Sequence, residues 1–405
     1  MRTALALLLT LAPAAAQTTW YVDVSGVAPG TGTPSDPYTS IQYAANRPTT
    51  LSFDTLLVAP GTYFEHVQIT NKRLTVRSAA GPEATLLRGV VQGPIVKLDE
   101  SSSLQGFTVT GWLPGAPGFV DPAVWALDCE LRNCIVRDIA GTAIYAQYHL
   151  NLRNCSLLNN GTPVHVDSFS GSAQFSESIL SGGFLSALTN VFSRYSIADF
   201  DGFAPSSFGP GNLELDPQFW DPTGGDANLR PGSPAIDAGD PASPLDPDGS
   251  RRDIGALAYD ASYLPAPLVY CTSQTNSLGC APSIGSSGVA SATSASPCFV
   301  TCSNQINQRA GFLFYGYAPR AHPYQGGFLC VQAPTRRTTP QNSGGSSSGL
   351  DCSGTFSYEL NTLIQSGVDP SLVPGTFLYG QYWSRDPAAA STANRSDAVR
   401  LAIGL

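Results

Sequence analysis

With 405 residues, 40 Gly, 32 Pro and only 13% charged side chains, the chain is rich in turns and poor in the residues that sustain long helices, which excludes a mainly helical fold. Its 42% hydrophobic content is enough for sizeable cores and excludes global disorder. Residues 17–260 carry 25 acidic and 13 basic side chains and residues 261–405 carry 5 and 7, so the acidic first part does not read as a nucleic-acid binder.

The chain opens MRTALALLLTLAPAAAQ. Arg2 is the charged start, Ala4 to Leu11 the apolar run, and Ala14-Ala15-Ala16 a small-residue cleavage signal before Gln17. This pattern predicts a signal peptide over 1–16, too short to span a membrane. The expectation is therefore an exported protein, secreted or held at the cell surface. Export changes the reading of the nine cysteines. Six of them, Cys271, Cys280, Cys298, Cys302, Cys330 and Cys352, fall after residue 270 and predict up to three disulfides with 15 possible pairings. No spacing combines a Cys-x-x-Cys with histidines, so a zinc site is not expected.

Between residues 94 and 180 the chain repeats. LRNCIVRD (Leu131 to Asp138) returns as LRNCSLLN (Leu152 to Asn159), with looser copies at Leu104 and Phe175, at intervals of 27, 21 and 23 residues. Periods of 20 to 30 residues with short β-branched segments point to a solenoid of strands, and a parallel β-helix fits better than a leucine-rich repeat. In such a coil Leu131 and Val136 point inward. Asn133 and Asn154 make the bend and hydrogen-bond their stacked copies, and Cys134 and Cys155 fill the core as a reduced stack.

The stretches YVDVSGVAPGTGTPSDPYTSIQYAAN and TLLVAPGTYFEHVQI resemble the entry of exported, pectate-lyase-like right-handed parallel β-helix proteins, in which a short helix, here Ser40 to Ala45, caps the first coil. GNLELDPQFWDPTGGDANLRPGSPAIDAG resembles the way such proteins close their last coils. The resemblance covers residues 20 to 260, and relatives of this fold include polysaccharide lyases, glycoside hydrolases, epimerases and adhesins. YCTSQTNSLGC, QGGFLCVQAP and DCSGTFS are similar to a C-terminal module of exported planctomycete-type proteins, which implies no activity. The expected architecture is all-β: a right-handed parallel β-helix over 17–262, then a smaller β-sandwich-like, disulfide-stabilised module over 268–405.

The repeat sets a register for the strand before each copy. PIVKLD, AVWALD, AIYAQY and PVHVDS align at intervals of 28, 20 and 20 residues. If Val96, Val124, Ile144 and Val164 face inward, the next residues form one outward row: Lys97, Trp125, Tyr145 and His165. Two residues on, a second outward row holds Asp99, Leu127, Gln147 and Asp167. Lys97 is one of two lysines in the chain. Trp and Tyr offer flat faces to sugar rings, and Lys, Asp, Gln and His offer partners for hydroxyls and carboxylates. The expected ligand is an extracellular or cell-surface polysaccharide lying along this face. The plainer reading is that Trp125 packs beneath a loop such as Gly111 to Asp121, in a structural or adhesive protein without a glycan groove.

A lyase or epimerase using the same face would need a base, for which Lys97 and His165 are the weak candidates, and a cation such as Ca2+ against the substrate carboxylate. Arg132 and Arg137 fall on another face of the coil. Asp99 and Asp167 stand three coils apart, about 14 Å at the strand spacing, too far for glycoside hydrolysis. Asp246-Pro-Asp248-Gly resembles part of a calcium loop but lacks its far Glu and runs into Arg251 and Arg252, so turn formation and pairing with arginine is the simpler reading. His66, His149 and His322 are isolated in sequence, and no Ser-His-Asp grouping follows from spacing.

Overall fold

The computed structural model describes residues 17–90, 92–111, 122–167, 169–181, 190–198 and 209–405. The expected signal peptide over 1–16 and residues 112–121 of the expected covering loop lie outside these. Among the described residues no helix is long and apolar enough to cross a membrane. The chain divides into two compact units, one running to Leu229 and resuming over Ser233–Tyr259, the other comprising Arg230–Gly232 and Asp260–Leu405.

The first unit is a parallel β-helix. Its larger sheet stacks Thr19–Val22, Thr55–Val58, Thr75–Ser78, Ser102–Gln105, Val124–Arg132, Thr142–Arg153, Ser172–Ser176 and Val191–Arg194 in parallel, with Val67–Ile69, Val96–Leu98 and Thr162–Val166 joined beside them. A second parallel sheet runs from Gly61–Tyr63 to Ile197–Ala198. Each coil adds one apolar residue to each inward column. The first column runs Leu56, Val76, Leu104, Leu131, Leu152 and Phe175. A second runs Leu87, Val109, Val136, Leu157 and Leu180, and a third Val67, Val96, Val124, Ile144 and Val164. All are buried in one continuous core. Alternation in the strands and repetition between coils are thus the same fact.

In five successive coils the bend between the sheets is a single left-handed residue. Gly106 (φ 74°), Asn133 (51°), Asn154 (50°), Glu177 (51°) and Tyr195 (46°) occupy it. Asn tolerates this conformation because its short amide finds local partners. The amide goes elsewhere than expected: Asn154 Nδ2 donates to Glu177 Oε2 at 3.5 Å, not to Asn133. After the last four of these bends comes a small side chain that reaches back across the corner. Cys134 and Cys155 Sγ donate to the carbonyls of Arg132 (3.3 Å) and Arg153 (3.4 Å). Ser178 and Ser196 Oγ do the same to Ser176 and Arg194, both at 3.0 Å. Cys134 and Cys155 are free and buried, as is Cys129.

The helix Ile41–Asn46 closes the first coil with Ile41, Ala44 and Ala45 buried. Its N-terminal amides at Ile41 and Gln42 donate to the Glu65 carboxylate at 2.8 and 3.0 Å. The segment expected to close the last coils does so at its start, where Leu213 bridges in parallel to Ile197 of the last coil, and then turns back. The antiparallel pair Phe219–Asp221 and Asp226–Leu229 and the turns after Ser233 join Ile135, Leu158, Ile179 and Ile197, which project outward from the smaller sheet. Ala256 N–H donates to Ser156 Oγ at 3.0 Å and Gly255 N–H to the Glu177 carbonyl at 2.9 Å, so this segment folds back along several coils. The reason is that Ile135, Leu158 and Ile179 form an apolar outer face that has to be covered.

The second unit is a β-sandwich. A six-stranded antiparallel sheet (Leu268–Tyr270, Ala393–Ala402, Phe377–Arg385, Ala310–Gly316, Arg336–Arg337, with Gln341–Asn342) faces a three-stranded one (Ser283–Ser287, Phe299–Gln305, Gly354–Glu359). Leu313, Leu378, Tyr382 and Val399 from one meet Ile284, Val300 and Phe356 from the other. Two disulfides form, Cys271–Cys330 and Cys280–Cys352, while Cys298 and Cys302 stay free and buried. The last two are four residues apart along an extended segment, a separation that no disulfide spans.

If the corner hydrogen bond is what the Cys position requires, Cys155→Ser should leave stability within about 1 kcal/mol of the parent, because Ser already fills the equivalent place in the next two coils. Leu152→Ala, which empties a fully buried place in the inward column, should cost about 3 kcal/mol. Urea unfolding followed by far-ultraviolet circular dichroism checks both; equal effects of the two substitutions would contradict the assignment.

Candidate functional site

The stacked register brings Lys97, Trp125, Tyr145 and His165 into one outward row. Trp125 pairs with Lys97 on one side and Tyr145 on the other, and Tyr145 with His165. Val96, Val124, Ile144 and Val164, each one residue earlier, are 0–1% exposed, whereas the four row residues are half-buried. The side chains contact one another along the row. Lys97 Nζ lies 4.6 Å from the Trp125 ring centroid. The Trp125 and Tyr145 rings meet edge-on at 6.0 Å and 73°, and Tyr145 stacks on His165 at 5.4 Å and 28°. Part of each ring surface is therefore taken up by a neighbour in the row, which differs from the free platform that a lone surface Trp provides.

The second row serves the first. Trp125 Nε1 donates to Gln147 Oε1 at 2.9 Å, and Tyr145 Oη donates to Asp167 Oδ2 at 2.7 Å. Each aromatic is tethered to a residue one coil on. A register shift between Ala126 and Asp128 takes Leu127 out of line, so the expected second row is interrupted there. Asp99 turns back on the chain and accepts the Glu100 N–H at 2.8 Å. Among the described residues, Lys97 Nζ and the ring nitrogens of His165 have no hydrogen-bond or ion-pair partner. The row thus has two fixed aromatics flanked by a cation and an imidazole with unused polar capacity.

Asp167 is held as a carboxylate. The Tyr145 hydroxyl, and then the Ser170 and Phe169 backbone N–H groups on Oδ1, lower its pKa to about 2. Burial, then the same hydrogen bond, pushes Tyr145 up to about 12. Near neutral pH this pair is an anion and a neutral phenol, and Asp167 has no proton to give a leaving group. Lys97 and His165, the two candidate bases, stand at opposite ends of the row, about 14 Å apart at the strand spacing, and do not converge on one atom.

The register also gathers residues that sequence spacing left scattered. Asp128 pairs with His149, and His149 with Ser172. The order is that of a hydrolytic triad, but the bonds are not. His149 Nδ1 takes Ser172 Oγ at 3.0 Å, Ser172 Oγ also donates to the Tyr148 carbonyl at 3.1 Å, and Asp128 Oδ2 accepts from Ser101 Oγ at 2.7 Å. Only stacking reveals this grouping, because its members are 21 and 23 residues apart. Arg132 pairs with Glu130, and Arg137 with Asp138, away from the Lys97 row.

Asp246 and Asp248 make turn and arginine contacts. Asp246 Oδ2 accepts the Asp253 N–H at 2.7 Å and Oδ1 lies 3.4 Å from Arg252, while Asp248 Oδ1 caps the Ser250 N–H at 2.9 Å. Their oxygens serve a turn and an arginine instead of a common point. Among the described residues no three His, Cys, Asp or Glu side chains gather to hold a metal ion.

The chain matches no protein-family model, and no curated protein matches it in sequence. Among solved structures it is similar to the crystal structure of pectate lyase Pel9A, at 13% identity over 61% of this chain and 98% of that one, with a TM-score of 0.21. A superposition that loose carries no argument, and the β-helix assignment rests on the strand register itself.

Removing the Tyr145 hydroxyl should release Asp167. In Tyr145→Phe the Asp167 pKa should rise from about 2 toward the ordinary carboxylate range, read from its carboxyl 13C shift. Because the folded value is depressed, the stability this pair contributes is present above the unfolded pKa and is lost as pH falls through about 2. An unchanged Asp167 titration in the variant would show that the backbone N–H groups alone hold it down.

Proposed function

We propose that the first unit binds a polysaccharide chain along the face bearing Lys97, Trp125, Tyr145 and His165, with Asp99, Gln147 and Asp167 beside them. The observation that carries this reading is the pairing of fixed aromatics with unused polar groups in one register. Trp125 and Tyr145 are oriented by Gln147 and Asp167 before any ligand arrives, so little side-chain entropy remains to be lost. Lys97 and His165 keep donors and acceptors for hydroxyls or a carboxylate. The rung spacing of about 4.8 Å repeats along the axis and suits an extended polymer. The back-folded 219–259 segment covers the smaller sheet, not this one. The two disulfides of the second unit support an oxidising location outside the cytoplasm, where such polymers are found.

The proposal is binding without catalysis. Asp167 is committed as an acceptor, and the two candidate bases do not share a target. The contrasting reading, a structural or adhesive solenoid, is favoured by the ring-to-ring contacts, which would stiffen the face with or without a ligand.

Affinity electrophoresis through gels containing polygalacturonate, xylan or mixed-linkage glucan decides between them. At least one polymer should retard the protein, and Trp125→Ala and Tyr145→Ala should each weaken retardation about tenfold or more. No ultraviolet-absorbing unsaturated product should accumulate. Absence of retardation by every polymer, or retardation untouched by both variants, would leave the structural reading standing.

A further inference from the structure

The second unit has an unassigned row of its own. On the outer face of the six-stranded sheet Phe312 pairs with Trp383, and Trp383 with Arg395. The alternate residues Leu313, Tyr315 and Tyr382 fill the core, which leaves Phe312 and Trp383 facing outward. Arg395 joins them only because the register of Ala393–Ala402 shifts between its pairings with Gln381 and Trp383. The Phe312 and Trp383 rings stack at 5.0 Å and 22°, and the Arg337 guanidinium lies 5.2 Å from the Phe312 centroid.

The hairpin of Pro319–Tyr324 and Gly327–Val331 stands beside this row. It is fixed by the Cys271–Cys330 disulfide and by the Gln381 amide, which accepts the Cys330 N–H and donates to the Phe328 carbonyl, both at 3.1 Å. Sheet and hairpin together line a cleft of about 390 Å³ with Phe312, Phe314, Leu329 and Trp383 as apolar lining and Arg337 and Arg395 as cations. That volume falls within the range of small-molecule sites.

The two cations are unusual in their partners. Arg395 is 5% exposed, yet its guanidinium meets only neutral groups: Gln274 Oε1 at 3.4 Å, Gln325 Oε1 at 2.8 Å and the Tyr324 ring at 4.7 Å. Among the described residues neither Arg395 nor Arg337 has a carboxylate within ion-pair distance. A buried cation without a counter-charge is costly, and an anion entering the cleft offsets that cost. The exposed guanidinium of Arg337 presents a planar fork that matches two oxygens of one planar group.

We infer that this cleft binds a carboxylate carried on a six-membered ring, with the carboxylate on Arg337 in the field of Arg395 and the ring against Phe312, Leu329 and Trp383. The ring can belong to a free aromatic acid or to a uronic-acid unit of an acidic glycan, since both present the same anion beside an apolar surface. Isothermal titration of the whole chain with para-hydroxybenzoate, with galacturonate and with the methyl ester of each separates the sources. At least one acid should bind with one site per chain, and its methyl ester at least tenfold more weakly. Arg337→Gln should weaken the acid about tenfold or more, whereas Arg77→Gln, which removes an exposed positive charge from the other unit, should leave it within twofold. No binding by either acid, an ester that binds as well as its acid, or an acid indifferent to Arg337→Gln overturns the inference. Because the probes are monomeric and the decisive variant lies in the second unit, this result is independent of the electrophoretic test of the first.

Discussion

Every coil of the first unit makes its strand hydrogen bonds to the coils before and after it, so the stacking register governs everything else in the unit. Parallel strands about 4.8 Å apart place each side chain directly on its counterpart one coil away. An inward position must then suit two neighbours of its own kind, and the columns that run through Leu131, Val136 and Val124 are the outcome. The same register acts outside, where no core demands apolar residues. There it sets Lys97 on Trp125, Trp125 against Tyr145 and Tyr145 on His165. A row of this kind is a consequence of the fold before it is a device for any ligand, and what distinguishes it is the chemistry placed at its rungs.

The corner shows how far a repeated motif can mislead. Leu-Arg-Asn-Cys has the look of a site because it recurs with a reactive residue. Its Asn supplies a left-handed bend, and its Cys supplies a small donor that spans the bend to the carbonyl two residues back. Ser178 and Ser196 perform that task in later coils. Burial pushes Cys155 well above the ordinary thiol range.

The two units reach similar surface chemistry by different backbone devices. In the β-helix, a cation and aromatics line up because coils repeat. In the sandwich, Arg395 reaches the row of Phe312 and Trp383 only through an irregularity in strand pairing. Individually such cation and ring contacts contribute about 0.5–1 kcal/mol at exposed sites. The difference lies in compensation: Lys97 is half-buried and hydratable, whereas Arg395 is nearly sealed from water without a carboxylate beside it.

The sequence alone determined the class of the fold, because strand alternation and a coil-length repeat are local and periodic. It also determined the row at 97, 125, 145 and 165, since one repeat copy sets the register of the strand before it. It determined the left-handed Asn corners as well, though not the partner of Asn154. Only the tertiary structure decided which polar ends are occupied. The bulge beside Leu127, the tether from Tyr145 to Asp167 and the approach of His149 to Ser172 depend on angles and coil lengths that no spacing encodes. The return of 219–259 across the smaller sheet, the choice of two cysteine pairs among six and the burial of Arg395 are likewise contacts between distant segments. Their energies belong to pairs of residues brought together by folding, and a linear pattern carries no record of them.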